Sequence, residues 1–149
     1  PRRWRATRRR PQRGRAWPGL VVLTLMSFAA PTEATHQVDH RYLVLGYVRD
    51  AKDRPVAGAA VRVVREKTGL AYAAEADAEG FYLVVVHLHD EDLGERLLVR
   101  VGATTIRVEA RFEPGNARDH RGTRVDFGGA RAREWGAAFP STLEKYLRR

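Results

Sequence analysis

The sequence contains no cysteine and only two serines among its 149 residues. Without cysteine the chain can form no disulfide bond, so a packed core must supply its stability. Ser27 lies in an apolar N-terminal segment, and Ser141 stands at the predicted start of a C-terminal helix. Neither position favours a serine nucleophile, which needs an adjacent base. Glycine-rich loops of the kind that cradle phosphate are lacking as well.

The sequence also lacks an apolar run long enough to cross a bilayer, which takes about 20 residues. Its longest largely apolar segment, residues 20–30, follows a head of eight arginines within residues 1–16. Small residues come next, at Thr32 and Ala34. A basic head, a short apolar middle and a small-x-small end are typical of a secretory signal peptide. We therefore predict a signal peptide over residues 1–34.

Cleavage of this signal is predicted after Ala34, with Ala29 as the alternative position. The mature protein is then periplasmic, secreted or at the cell surface. If the segment is retained, residues 17–30 would anchor the protein to the membrane. An exported domain without disulfides is typical of a bacterial periplasm.

The strong positive charge of the chain belongs largely to this signal. The whole sequence has 27 basic and 18 acidic residues, for a net charge of +9. Removing the eight arginines and one acid of residues 1–34 leaves 19 basic and 17 acidic residues. An excess of two charges gives no basis for nucleic-acid binding, so no nucleic-acid partner is predicted.

Beyond a polar leader, residues 35–41, the chain alternates apolar and polar residues in short segments divided by turn residues. This period-2 pattern predicts β-strands with one buried face. The predicted strands cover residues 42–49, 59–66, 70–76, 81–89, 96–101, 104–112 and 123–129. Seven such strands indicate an all-β fold over residues 42–129, a seven-stranded antiparallel β-sandwich as in immunoglobulin-like domains or a related open barrel.

The C-terminal tail, residues 130–149, has a different character. Ser141 and Glu144 form a capping-box pattern, which predicts a short helix over residues 141–149. Nine residues are too few for a stable isolated helix, so this helix must dock on the sandwich. The tail aromatics Trp135, Phe139 and Tyr146 could bind a sugar or a partner; we favour the alternative, that they pin the tail across an edge strand.

Three short motifs connect this pattern to a known family. They are G-x-V-x-D at residues 46–50, P-V-A-G-A-x-V at residues 55–61 and D-x-x-G-x-Y at residues 77–82. Together they resemble the carboxypeptidase regulatory-like family of transthyretin-like β-sandwiches. The resemblance implies a non-catalytic accessory module without a cofactor, which binds a protein partner or has a structural role in the cell envelope.

Two enzyme families share this sandwich, and neither fits the sequence. Intradiol dioxygenases hold iron with two tyrosines and two histidines, whereas Tyr72 and Tyr82 here lie on early strands. Hydroxyisourate hydrolases end in a Tyr-Arg-Gly-Ser-type tail, whereas this chain ends in K-Y-L-R-R. A metalloenzyme on the same fold therefore remains only an alternative, and no enzymatic activity is predicted.

His87 and His89 are the only candidate metal ligands with informative spacing. On a strand, residues i and i+2 share a face about 7 Å apart, so both imidazoles could chelate Zn²⁺ or Cu²⁺ with a third ligand. A periplasmic metal-binding protein is thus the alternative function. The interpretation that we favour is that the pair packs at the strand end. The candidate third ligands are Asp90, Asp92, His36, His40 and His120.

The acids that follow this pair, Asp90, Glu91 and Asp92, lack the ladder of a calcium loop. They are predicted to form a solvated turn.

Overall fold

The computed structural model describes residues 40–116 and 118–149. The predicted signal peptide and nearly all of the leader lie outside these residues. Among the described residues, no helix is long and apolar enough to span a membrane. The elements are β1 (Arg41–Arg49), β2 (Ala60–Arg65), β3 (Ala71–Glu75), β4 (Phe81–His87), β5 (Arg96–Val101), β6 (Thr104–Glu109), β7 (Arg121–Gly128), β8 (Arg131–Glu134) and the helix α1 (Phe139–Leu147).

The strands form two four-stranded sheets, with the orders β4-β1-β7-β8 and β3-β2-β5-β6. All neighbours are antiparallel except β1 and β7, which run parallel. The prediction of a wholly antiparallel fold is therefore wrong at the centre of the first sheet. β1 is buried on both faces, since α1 covers Leu43 and Leu45, whereas β7 alternates, so the two patterns together gave no sign of a parallel pair.

An eighth strand, β8, was also missed. Its four residues, R-A-R-E, include a single apolar side chain, Ala132, which lies opposite Phe127 of β7. The strand forms because β7 offers it a free edge of backbone hydrogen-bonding groups, which is a tertiary cause that local composition does not report.

The two sheets pack against each other around one core. Val44, Val84 and Val125 of the first sheet and Val61 and Val99 of the second belong to the same buried cluster. Full burial of one such side chain stabilises the fold by about 1.5–3 kcal/mol. The predicted all-β character of residues 42–129 and the short C-terminal helix are confirmed.

Gly46 and Tyr82, which belong to two of the motifs found in the sequence, stabilise the parallel pairing of β1 with β7. The Tyr82 hydroxyl crosses the core and donates a 2.7 Å hydrogen bond to the carbonyl oxygen of Val125. Gly46 passes against the same carbonyl, since a Cβ at this position would lie 1.8 Å from that oxygen. Beside it, the backbone N–H of Tyr47 donates to the Asp126 carboxylate at 3.1 Å. Any side chain at Gly46 would therefore push β1 and β7 apart.

Helix α1 begins two residues earlier than predicted. Pro140 lies in its first turn, where the fixed backbone angle and missing N–H of proline are tolerated. The Ser141 hydroxyl donates to the carbonyl oxygen of Ala138 at 3.2 Å, so this residue lies inside the helix and caps nothing. The capping box of Ser141 and Glu144 is therefore wrong.

The helix docks on the outer face of the first sheet. Phe139 and Leu143 are buried there against Leu43, Leu45 and Phe81 in a second apolar cluster. Gly122 makes room, because a Cβ at this position would come within 2.4 Å of the Phe139 ring. Tyr146 stacks on Phe81 with ring centres 4.7 Å apart. Phe139 is thus the buried anchor of the tail, whereas Tyr146 and Trp135 are 39% and 41% exposed.

Candidate functional site

A buried ionic cluster holds the turn that follows β4. The Arg65 guanidinium, on β2, lies 2.5 Å from the Glu95 carboxylate and 3.0 Å from the Asp92 carboxylate. All three side chains are less than 10% exposed. Lys67 completes the set, with its Nζ 2.9 Å from Asp92. We call these four residues the turn network; for Asp92, the prediction of a solvated turn is wrong.

The turn network fixes the backbone around His87 and His89. Arg65 donates to the carbonyl oxygen of His87 at 3.0 Å, and the His89 N–H donates to Asp92 at 3.0 Å. Burial raises the pKa of the Asp92 carboxyl, but the hydrogen bonds from Lys67 and His89, with the charge of Arg65, outweigh it and lower that pKa to about 2. Asp92 is therefore a structural anion that is already fully engaged, not a third metal ligand.

Asp90 has a similar structural task. Its carboxylate accepts a 2.7 Å hydrogen bond from the Gly115 N–H and lies 2.7 Å from the Arg121 guanidinium. The bond from Gly115, followed by the bond and charge of Arg121, holds the pKa of Asp90 below its usual range. The turn is thereby joined to the loop that precedes β7.

Three imidazoles gather above this turn, and we call His40, His87 and His89 the histidine cluster. The ring centres lie 4.2 Å apart for His40 and His89, 4.9 Å for His87 and His89, and 5.7 Å for His40 and His87. β4 ends at His87, so the prediction that both histidines share one strand is wrong for His89. His40, one of the five proposed third ligands, is the one that the fold brings to the pair.

Of the other two histidine candidates, His120 is exposed and makes no ring contact with the cluster. His36 lies outside the described residues. Within residues 40–116 and 118–149, no three His, Asp or Glu side chains are arranged so that they could hold a metal ion as they stand. Metal binding at His87 and His89 stays a prediction.

A second region, beside α1, forms an open groove of about 1010 Å³. Its walls are α1, the strands β7 and β8, and the turn after β1. Six basic and three acidic side chains line it: Arg49, Arg124, Arg131, Arg133, Lys145 and Arg149, with Asp53, Glu79 and Asp126. We call it the basic groove.

Aromatic rings support the cations of the basic groove. The Tyr47 ring lies between two guanidinium groups, 5.2 Å from that of Arg124 and 5.7 Å from that of Arg49. Arg133 lies over the Trp135 ring at 3.9 Å. Stacking of this kind favours a fixed guanidinium orientation. The groove therefore presents oriented charges on aromatic supports.

Each acid of the groove has a cation beside it. Asp126 lies 2.6 Å from Arg124, and the hydrogen bonds that the guanidinium donates to this carboxylate raise the pKa of the arginine further. Asp53 lies 3.7 Å from Arg49, and Glu79 lies 3.4 Å from Arg149. All three groove carboxylates are thereby neutralised.

Three groove cations remain. Arg131, Arg133 and Lys145 have no carboxylate within ion-pair distance in the described part of the chain. The groove thus carries an uncompensated positive charge. Sequence reasoning missed it, although residues 130–149 contain five basic and only two acidic residues, a local excess that the small net charge of residues 35–149 concealed.

Comparison with known proteins gives no family assignment. No protein-family model and no curated protein matches the chain. Among solved structures, the dioxygenase domain of a dioxygenase–carbohydrate-binding fusion protein from Streptomyces sp. SirexAA-E aligns with 63% of this chain and 82% of its own, at 16% identity and a TM-score of 0.40. Catechol 1,2-dioxygenase from Acinetobacter sp. ADP1 aligns with 62% of this chain and 46% of its own, at 11% identity and a TM-score of 0.37. Similarity at this level supports no argument about function.

Proposed function

We propose that this protein is a non-catalytic binding module, of the transthyretin-like kind found in the carboxypeptidase regulatory-like family, and that it acts in the cell envelope. Its docking surface is the basic groove, and its ligand is an acidic segment of a protein partner. The observation that carries the proposal is the uncompensated charge of Arg131, Arg133 and Lys145 in a groove with aromatic supports.

The spacing of these cations favours an extended polyanion over a single small anion. Arg131 and Arg133 are two residues apart on β8, so their side chains leave the same face about 7 Å from each other. Lys145 stands on α1, across the groove. In an extended peptide, acidic side chains at alternate positions have the same 7 Å repeat, so they match the two arginines in register.

The hydroxyl groups of the groove support binding rather than catalysis. The Ser141 and Thr142 hydroxyls both donate to the Ala138 carbonyl oxygen, at 3.2 and 2.6 Å. A hydroxyl nucleophile would instead donate to a base beside it. Each of the three groove carboxylates is already paired with an arginine.

Binding of a labelled acidic peptide to the full chain tests this function. A fluorescein-labelled peptide with alternating glutamates should increase in polarisation, and its affinity should fall steeply between about 0.05 and 0.5 M salt because screening weakens exposed charge pairs. The control is the same peptide with glutamine in place of every glutamate. Equal binding of both peptides, or no binding of either, would contradict the proposal.

We propose in addition that the protein is exported by its N-terminal segment. The support is the arrangement of eight arginines, a short apolar segment and small residues within residues 1–34. After expression in a bacterial host, N-terminal sequencing of the protein released from the periplasm should begin at Thr35. A product confined to the cytoplasm, with the first 34 residues intact, would contradict export.

A further inference from the structure

The histidine cluster is held together by backbone pairing that does not depend on the imidazoles. Arg41 of β1 lies opposite His87 of β4, and beyond this pair the Leu88 N–H donates to the His40 carbonyl oxygen at 2.8 Å. This places His40 beside the end of β4. Since the turn network fixes the His87 carbonyl and the His89 N–H, all three histidine backbones have defined positions.

The ring separations match those of ligands that share one metal ion. With metal–nitrogen bonds of about 2.0–2.1 Å and tetrahedral angles, the centres of two coordinating imidazoles lie about 5 Å apart. The three separations here, 4.2, 4.9 and 5.7 Å, bracket that value. The rings as they stand do not form a metal-holding group. Because the spacing is already suitable, binding requires rotation of rings about side-chain torsions and no movement of the strands.

A second observation points to a ligand at this place. The Nδ1 atom of His40 is buried and has no hydrogen-bond partner. A buried polar atom without a partner costs about 1–3 kcal/mol, and such atoms are few in folded proteins. Nothing in the core requires an imidazole at this position, since His40 precedes β1 and is only half-buried. A bound cation that accepts the lone pair of this nitrogen would relieve the cost.

The surrounding charges permit a cation. Asp90 interacts electrostatically with His40, so this carboxylate favours positive charge at the cluster. The Arg65 guanidinium, which contacts the His87 carbonyl oxygen, is balanced by Glu95 and Asp92. The Arg121 guanidinium is balanced by Asp90 at 2.7 Å. The donors are therefore three imidazoles with a carboxylate close by, a set that suits borderline divalent ions such as Zn²⁺, Cu²⁺ and Ni²⁺.

We propose that His40, His87 and His89 together form a surface site for one divalent transition-metal ion. This site is separate from the basic groove, and neither proposal depends on the other. His40 is the ligand that completes the pair of His87 and His89, and the strand pairing of β1 with β4 is what supplies it.

Calorimetric titration of the full chain with ZnSO₄, CuSO₄, NiCl₂ and MgCl₂ at pH 7.5 tests the site. One equivalent of at least one transition metal should bind, and Mg²⁺ should not, since it prefers oxygen ligands. The absence of cysteine removes thiolate binding as a background. No binding heat above buffer for any of the three transition metals would overturn the proposal.

Alanine variants identify the ligands. His40→Ala, His87→Ala and His89→Ala should each weaken binding at least tenfold, whereas the matched control His120→Ala, at an exposed histidine without ring contact to the cluster, should change it less than twofold. Thermal melting of each variant confirms that it folds. If His40→Ala behaves like the control, the three-ligand site is wrong and only a histidine pair remains; if all four variants bind equally, the cluster is not the site.

The spectrum of the Cu²⁺-loaded chain reports the number of coordinating imidazoles, which a change in stability alone would not alter. Nitrogen hyperfine structure in its electron paramagnetic resonance spectrum should correspond to three imidazoles in the wild type and to two in His40→Ala. A spectrum that His40→Ala leaves unchanged would contradict coordination by His40.

Discussion

The turn network and the basic groove both combine basic side chains with carboxylates, and they differ in burial and balance. In the turn network, two cations, Arg65 and Lys67, meet two acids, Asp92 and Glu95, and only Lys67 is exposed. In the groove, six cations meet three acids around an open cleft. The comparison teaches that residue type alone does not distinguish a structural ion cluster from a binding surface, whereas burial and charge balance do.

The largest loss of stability should follow from removing one partner of the buried ion pair between Arg65 and Glu95. Arg65→Met leaves Glu95 and Asp92 buried without the guanidinium, and loss of one partner of a buried ion pair costs about 3–5 kcal/mol. Urea denaturation should show this decrease in the free energy of unfolding. The double variant Arg65→Met with Glu95→Met should recover most of it, because no buried charge is left unpaired. A cost below about 1 kcal/mol for the single variant would contradict the structural role of the network.

The second largest loss of stability should come from lowering the pH, which protonates Asp92 in the same network. The pKa of Asp92 falls from 3.8 to about 2 in the folded chain, so its contribution is fully present above about pH 4 and is lost as the pH falls toward 2. We expect a loss of about 2 kcal/mol over this interval. Denaturation of Asp92→Asn at both pH values should show a smaller difference than the wild type. The same difference in both proteins would remove Asp92 as its cause.

Replacement of Arg124 should have an intermediate effect on stability. This residue pairs with Asp126 in the groove and is about one quarter exposed. Its guanidinium also donates to the Thr142 hydroxyl of α1 at 3.1 Å. Arg124→Met should destabilise the fold by about 1 kcal/mol, less than Arg65→Met, because water screens the pair. Urea denaturation of the two variants side by side checks this order, and the reverse order would contradict it.

The smallest stability effect should come from the unpaired groove cations. Arg131→Ala removes an exposed side chain without an ionic partner, so the free energy of unfolding should change by less than about 0.5 kcal/mol. The affinity for an acidic peptide should nevertheless fall. Thermal melting and peptide polarisation measured on the same sample separate the two properties. If Arg131→Ala lost stability and kept its affinity for the peptide, Arg131 would have a structural role and no role in binding.

Features that depend on neighbouring residues could be predicted from the sequence, whereas features that depend on distant residues could not. Strands such as β2 and β7 were recognised because buried apolar residues, Val61 and Val63 in β2 and Val125 and Phe127 in β7, alternate with more accessible ones. Burial of Glu95 was not recognised, because it depends on Arg65, 30 residues away in the chain. Alternation is a local signal, whereas ion-pair burial is created by the packing of distant segments.

The two candidate sites were predictable to different degrees. His87 and His89 were identified from their spacing, and His40 was one of several candidate partners, which only the pairing of β1 with β4 could single out. The groove was missed because its charge comes from β8 and α1, which approach each other only when Phe139 docks beside Gly122. Its one local signal is the basic composition of residues 130–149.

The most direct test of the binding function compares two matched pairs of charge reversals in the acidic-peptide titration. Arg131→Glu with Lys145→Glu inverts the charge of the groove. Arg62→Glu with Arg100→Glu inverts two exposed arginines that lie opposite each other on the second sheet. We predict a loss of affinity of at least about tenfold for the groove pair and less than about threefold for the control pair. Equal losses in both would show that the peptide responds to net charge alone, and the groove would not be the binding site.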